Sequence, residues 1–328
     1  MNNSQNKSSQ QSSPHPPLGD RSDNRGCVVH CPATIANLVC GFDILGLALE
    51  APYDIMEVSF KDEPDITLSS SAAYNLPTIP EDNVAGASLL ALMEAYEKPV
   101  GFHVHIDKQI KPGSGLGSSA ASSAGAVVAA NHLLGNIFSN EDLVRFAMNG
   151  EKVASGVKHA DNITPCIYGG VTLIRSIFPL DIVTLDAPPL FVTVVHPQIE
   201  VKTSDARQIL RKEVLLKDAI KQWGNIAGLV AGFMKHDYQL IGRSLEDVII
   251  EPVRSILIPG FDAVKNSCKE AGALGGGISG SGPSIFMLSE HESTAKAVEV
   301  IMKNIYEKLG IDYKTYVTTI GKGGVKIV

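Results

Sequence analysis

The sequence is short of several things, and each shortage narrows what the chain can be. No stretch reaches the roughly 18 consecutive apolar residues that a membrane helix needs. The first residues carry no apolar core of the secretory kind. No basic block occurs and the formal net charge is −7, which argues against a nucleic-acid-binding surface. The five cysteines, Cys27, Cys31, Cys40, Cys166 and Cys268, are odd in number and form no C-x-x-C, so neither a zinc motif nor a disulfide framework is supported. No internal repeat is visible. These absences lead us to expect a cytoplasmic protein with no membrane and no nucleic-acid partner.

What is present is the composition of an ordinary globular protein: 328 residues, 44% hydrophobic and 19% charged. Residues 1–26 stand apart, rich in Ser, Gln, Asn and Pro and nearly free of apolar side chains. Such a segment cannot offset the entropy of ordering, so a disordered tail is expected.

The most informative stretch is 111–130, KPGSGLGSSAASSAGAVVAA. Gly113, Gly115 and Gly117 make a tight turn that runs into an alanine-rich helix. A helix start offers unpaired backbone N–H groups and the positive end of its dipole, which suits a phosphate. Ser118 and Ser119 add hydroxyls within reach of a phosphate oxygen or a metal. The spacing matches neither the Walker A pattern nor G-x-G-x-x-G, so a capped turn before a packed helix is the competing explanation. A second glycine-serine segment, GALGGGISGSG at 272–282, carries the same two explanations.

Other segments fall between regular elements. Residues 32–49 are apolar yet contain Thr34, Asn37 and Asp43, either turn residues or ligands. Strands are expected at 53–60 and 102–106, and helices at 82–96 and 140–155. His103 and His105 share one strand face and read as surface residues. Glu151 lies at the end of the 140–155 helix, as a solvated residue or a metal carboxylate. Loop 156–170 carries His159, Asp161, Asn162 and Thr164 between glycines. Residues 251–261, with two prolines, are expected to break the helical pattern. The order strand, helices, strand, helix, strand after about 190 suggests a split β-α-β unit. If the first glycine loop holds a triphosphate, Ser119 and Glu151 can serve Mg²⁺. Asp43 then suits an ammonium group, and Arg207 and Arg254 a carboxylate.

Taken together, three blocks resemble the GHMP small-molecule kinases: PATIANLVCGFDILGLAL at 32–49, KPGSGLGSSAASSAGAV at 111–127 and GALGGGISGSGPSIFM at 272–287. FDILG at 42–46, HADNITP at 159–165 and EPVRSILIPG at 251–260 resemble the homoserine kinase family within them. The resemblance spans about residues 27 to 328. It implies an α/β (α+β) protein of two domains: a ribosomal-protein-S5-like domain at 27–185 and a ferredoxin-like sandwich at 186–328. It implies ATP and Mg²⁺, L-homoserine as acceptor, O-phospho-L-homoserine as product, a place in threonine biosynthesis, and a homodimer. A mevalonate or sugar kinase of the same superfamily is the alternative.

By motif match, Lys111, Pro112, Gly113, Ser114, Gly115, Leu116, Gly117, Ser118 and Ser119 surround the phosphates and Asn83 lies near the adenine. Ser119 and Glu151 face the metal. Asn37, Asp43, His159, Thr203, Arg207 and Arg254 face homoserine, and Asn162, Asp161 and Arg254 act in catalysis. Some members of the superfamily activate the acceptor with an Asp–Lys pair. Asp161 lies in the matching loop, but residues 32–49 hold no lysine. Direct attack by the acceptor hydroxyl, oriented by Asn162, is therefore expected.

Overall fold

The computed structural model describes residues 26–71, 74–201 and 203–328, without the side chains of 203–205. The expected tail, apart from Gly26, lies outside the described residues, and so does the side chain of Thr203. Among the described residues no helix is long and apolar enough to cross a membrane.

The first sheet is seven-stranded. Strands β1 (Gly26–Ala36), β2 (Leu45–Lys61), β3 (Ile66–Ser70) and β4 (Gly101–Asp107) are joined by β5 (Val171–Ile177), β6 (Leu180–Leu185) and the last strand, β11 (Lys326–Ile327). The main path runs β11-β1-β2-β4-β3, with β5 on β2 and β6 on β5. β1 runs for 11 residues. It absorbs Pro32 at a register shift between Pro32 and Thr34, where a residue without an N–H does least harm. Residues 320–328, which the expected second domain would include, return to this sheet. β11 pairs with β1, and Gly170 donates to the Gly321 carbonyl.

Three helices pack together, α1 (Val84–Tyr96), α2 (Ser118–Leu133) and α3 (Asn140–Ser155), with α2 also lying on β1 and β2. Twelve of the sixteen residues of α2 are buried, which explains its alanine, serine and glycine content. A larger side chain at Gly125 would collide with Cys31 Sγ on the sheet. Helix α3 is fixed at its start by Ser139 and Asp142, which bond each other's backbone N–H reciprocally, and stopped by Gly156 at φ 80°.

The second sheet orders its strands β10-β7-β9-β8, all antiparallel: β7 (Phe191–Pro197), β8 (Gly275–Ile278), β9 (Ile285–Ser289) and β10 (Tyr313–Thr319). Helices α9 (Phe261–Glu270) and α10 (Glu292–Leu309) supply the crossovers, giving the ferredoxin-like split β-α-β. Two expectations change here. The glycine run at 275–277 is a strand rather than an anion loop. It is glycine because β9 backbone and the Glu251 carboxylate press against it. Residues 251–261 do not merely break: Glu251–Arg254 is a helical turn with Pro252 in its first positions, where its missing N–H costs nothing, and Ser255–Leu257 is a 3₁₀ turn. Numbering in chain order, the helices between β7 and α9 are α5 (Thr203–Gln208), α6 (Leu216–Lys235), α7 (Tyr238–Ser244) and α8 (Glu251–Arg254), with α4 (Ile163–Tyr168) in the first domain.

Candidate active site

A cleft of about 970 Å³ is lined by both halves of the chain, within the range of small-molecule sites. The glycine loop forms one wall. Gly113, Gly115 and Gly117 all have left-handed φ, 75°, 79° and 67°. At Gly117 a Cβ would strike Thr34 Oγ1, so no other residue fits there. Ser118 is the first helical residue of α2, and α2 starts without a side-chain cap, leaving its first amides for a ligand.

Not every loop residue faces the cleft. Ser118 lines it, but its hydroxyl donates to the Ile110 carbonyl at 2.8 Å, so the expected reach of that hydroxyl to a phosphate is corrected. Ser114 is buried, with its Oγ accepting from Leu116 N and its carbonyl accepting from Ser284. Leu116 is buried, and its carbonyl accepts from Thr34 N. These two residues shape the loop from behind. The second glycine segment does the same: Ser279 Oγ donates to the Gly115 carbonyl at 2.6 Å, while Gly280 and Ser281 reach the cleft.

Behind the loop lies a buried ion pair that the sequence did not announce. Lys108 Nζ bonds Asp54 Oδ2, the Ser118 carbonyl and Ser122 Oγ, which uses all three of its donors. Asp54 Oδ1 accepts from Gln109 N and Ile110 N, each at 2.8 Å. The pair thus ties β2, the end of β4 and the first turn of α2 into one rigid cradle.

Glu151 comes off α3 into the same cleft and is buried. Burial pushes its carboxyl above the ordinary range, and a hydrogen bond from Ser119 partly offsets this. One carboxylate oxygen, Oε1, has no partner. An unpaired buried carboxylate oxygen beside a hydroxyl at an uncapped helix start is a donor set suited to Mg²⁺, which favours hard oxygens and shares its shell with phosphate and water. The residues present therefore fit the metal.

At the other end, β1 leads into a turn whose residues Asn37, Leu38, Val39 and Asp43 all have positive φ. Left-handed backbone is costly for a β-branched residue such as Val39, and such strain gathers at functional sites. Asn37 holds the turn, accepting from Asp43 N at 3.0 Å and donating to the Gly280 carbonyl at 2.9 Å. Asp43 faces Arg207, whose Nη2 lies 3.0 Å from both carboxylate oxygens, and His159 Nδ1 is 3.6 Å away. Burial lowers the His159 pKa, so the ring is neutral near pH 7, and its Nε2 is buried without a partner. Arg254 is buried, donates to the Ala206 and Gly280 carbonyls, and lies 4.9 Å over the Phe42 ring. The two arginines and Asp43, far apart in sequence, thus meet around Phe42.

Asp161 and Asn162 line the cleft between these two ends. Thr34 Oγ1 donates to Asn162 Oδ1 at 2.8 Å, leaving the amide N–H₂ as the part of Asn162 able to serve a ligand. Asp161 is buried, and burial first, then Asp43 and Glu151, push its carboxyl up to about 7. Asn83 also lines the cleft; it caps α1 by accepting from Ala85 N and Gly86 N, and it donates to the Pro77 carbonyl.

Three comparisons place this arrangement. The model of GHMP kinases N terminal domain matches residues 83–170, and that of GHMP kinases C terminal matches 229–308. A homoserine kinase of Chloroherpeton thalassium is 44% identical over 291 residues, covering 85% of this chain and 91% of that protein. A crystal structure of homoserine kinase from Cytophaga hutchinsonii superposes with a TM-score of 0.90 at 45% identity, covering 95% of this chain and all of that one. The chain belongs to the homoserine kinase family. An L. major mevalonate kinase, at 15% identity and TM-score 0.67, shares the fold alone.

Within this homoserine kinase scaffold the structure brings Asn37, Asp43, Asn83, Lys111, the loop glycines, Ser119, Glu151, His159, Asp161, Asn162, Arg207 and Arg254 to one cleft. Sequence reasoning missed Lys108 and Asp54, and also Gln198. Lys111 Nζ donates to Gln198 Oε1 at 3.2 Å, and Gln198 Nε2 meets buried His196 Nδ1 at 3.1 Å. Burial holds His196 at about 4, so it stays neutral and fixes which way the Gln198 amide faces. A polar pair, His196 at the end of a mostly apolar strand and Gln198 just past it, was the available signal. Cys31 and Cys40 are buried with thiols pushed up by burial, Cys40 to about 12, which suits packing and not nucleophilic attack.

Proposed function

We propose that this chain transfers the γ-phosphoryl group of ATP to the side-chain hydroxyl of L-homoserine, giving O-phospho-L-homoserine and ADP. The observation that carries the reading is the pairing of Asp43 with Arg207, beside Arg254, in the cleft that also holds the glycine loop. A free amino acid is a zwitterion. Its ammonium group takes Asp43 and its carboxylate takes the guanidinium groups, so one ion pair is exchanged for two without stranding a charge. Mevalonate and galactose carry no ammonium group and leave Asp43 with nothing to bind.

The amides at the start of α2 and the loop glycines cradle the phosphates, Lys111 supplies a cation at their edge, and Asn83 borders the nucleoside. Ser119 and Glu151 hold Mg²⁺, which neutralises charge on the transferring phosphoryl group when bound. Asn162, with its carbonyl engaged by Thr34, donates to the acceptor hydroxyl oxygen and aims it. That hydroxyl proton passes to Asp161. Direct attack without a strong base was the expectation, because residues 32–49 hold no lysine; burial beside two carboxylates supplies the tuning instead. His159, neutral, and Asn37 keep Asp43 in place. The enzyme works in the cytoplasm on a path to threonine, as a homodimer whose domains divide near residue 185. The test is ADP release with homoserine, mevalonate and galactose in turn: turnover with homoserine alone is expected, and none at millimolar homoserine overturns the reading.

A further inference from the structure

Strand β7 ends in His196 and Pro197, and Gln198 follows. His196 is buried. Gln198 is fixed at its backbone, where its N–H donates to the Asp312 carbonyl at 2.7 Å. Its side-chain amide is fixed too. Nε2 donates to the His196 carbonyl at 3.1 Å and meets His196 Nδ1 at 3.1 Å. A carbonyl only accepts, so the NH₂ end of the amide has to face it. Nδ1 then accepts as well. The ring proton therefore sits on Nε2, which is buried without a partner among the described residues. Burial, and then the charges of Lys111 and Lys314, keep that ring neutral. The other end of the amide, Oε1, is left facing Lys111 and accepts from its Nζ at 3.2 Å.

We infer that Gln198 is a positioning residue: it holds the Lys111 ammonium over the cleft for the nucleotide phosphates, and His196 sets the direction in which it does so. This holds on the reading that Lys111 serves the phosphates. Lys111 opens the glycine loop after β4 of the first sheet, whereas Gln198 follows β7 of the second, 87 positions away in sequence. Both line the cleft. Ser279 and Ser284, beside β8 and β9 of the second sheet, also bond this loop, but at the Gly115 and Ser114 carbonyls. Those bonds shape backbone, whereas Gln198 aims a charge. A neutral amide orients the cation without cancelling it. One N–H of the ammonium is used and the other two stay available to an anion. A lysine side chain loses much of its freedom when it is fixed on a ligand. Gln198 restricts that freedom before the nucleotide arrives, so less is lost on binding.

The experiment compares wild type, Lys111→Ala, Gln198→Leu, the double variant of those two, His196→Phe and His196→Asn. Titration calorimetry gives Kd for MgATP, and ADP release gives kcat and both KM values. Gln198→Leu should weaken MgATP about fivefold and leave kcat and KM for homoserine unchanged. Added to Lys111→Ala it should have no further effect, since nothing is left to position. His196→Phe fills the space of the ring without an acceptor and should weaken MgATP about threefold. His196→Asn has an acceptor as many bonds from the backbone as Nδ1 and should bind MgATP like wild type. Losses that add in the double variant overturn the inference, because Gln198 then acts on the nucleotide by itself. Unchanged affinity in Gln198→Leu, where Lys111→Ala lowers it, overturns it and leaves the reading of Lys111 intact. Lys111→Ala with no effect on MgATP removes that reading, and the inference with it. A fall in kcat and both affinities together, with a lower Tm, shows general damage to the fold and overturns it as well.

Discussion

Replacing Asp161 with Asn should make the protein more stable and a far worse catalyst. The Asp161 carboxyl lies at about 7 rather than 3.8, chiefly because it is buried, and further because Asp43 and Glu151 are close. Below about pH 3.8 the group is protonated folded or unfolded, and nothing is lost. Between that point and about 7 the unfolded chain releases its proton while the native one keeps it, so stability falls as pH rises. Above about 7 the penalty is constant. At about 1.36 kcal/mol for each tenfold in acidity it is roughly 4 kcal/mol. Asn keeps the shape and removes the charge. For a chain of this size, with an unfolding entropy of about 2.1 cal/mol/K per residue, the gain is about 6 °C in Tm at about pH 8. By about pH 5 it shrinks to roughly a third, because less of the penalty has accrued. The assay is calorimetry of nucleotide-free wild type and Asp161→Asn in EDTA across that range, with kcat measured in parallel. A fall in kcat of about 10²–10⁴ is expected from loss of the proton acceptor. A Tm gain that is absent, or equal at both pH values, refutes the burial argument. A gain with kcat unchanged refutes the role in proton transfer.

Three further outcomes follow from the same geometry. Lys108→Met strands the buried Asp54 carboxylate and should cost about 3–5 kcal/mol, read as a lower Tm; Lys108→Met with Asp54→Leu should recover most of it. Glu151→Gln should leave stability unchanged or slightly higher, since an unpaired buried carboxylate is gone. It should lower kcat about a hundredfold and raise the Mg²⁺ concentration needed for half-maximal rate. Lys111→Ala, which removes one charge-assisted contact at the cleft edge, should raise KM for ATP about tenfold and leave KM for homoserine unchanged.

Legibility in the sequence followed local chemistry. The loop from Gly113 to Ser119 could be read because glycines that need positive φ and an alanine-rich helix occupy one short stretch. Helix α3 was legible down to its ends because Ser139, Asp142 and Gly156 cap it locally. What lay hidden depended on distant partners. Lys108 looks like any lysine after a strand until Asp54, from the neighbouring strand, comes beside it. Asp43 and Arg207 were assigned to opposite ends of a substrate, yet they are 3.0 Å apart, 164 positions separated in sequence. Strand β8 was unreadable for a different reason. Its glycines have no side chains to alternate, so the pattern that marks a strand is missing, and only the pressure of β9 and Glu251 explains them.

The central claim is that Asp43 and the two arginines read the zwitterion of the acceptor. The direct test is ADP release by wild type and Asp43→Asn with homoserine, 4-hydroxybutanoate (the same acceptor without its amino group) and 3-aminopropan-1-ol (without its carboxylate). The account predicts that wild type prefers homoserine to either analogue by about a hundredfold or more in kcat/KM, as expected when a site built to bond a group meets a ligand lacking it. It predicts that Asp43→Asn abolishes the preference over 4-hydroxybutanoate while keeping that over 3-aminopropan-1-ol. Equal turnover of all three by wild type, or a preference that survives Asp43→Asn intact, would contradict it.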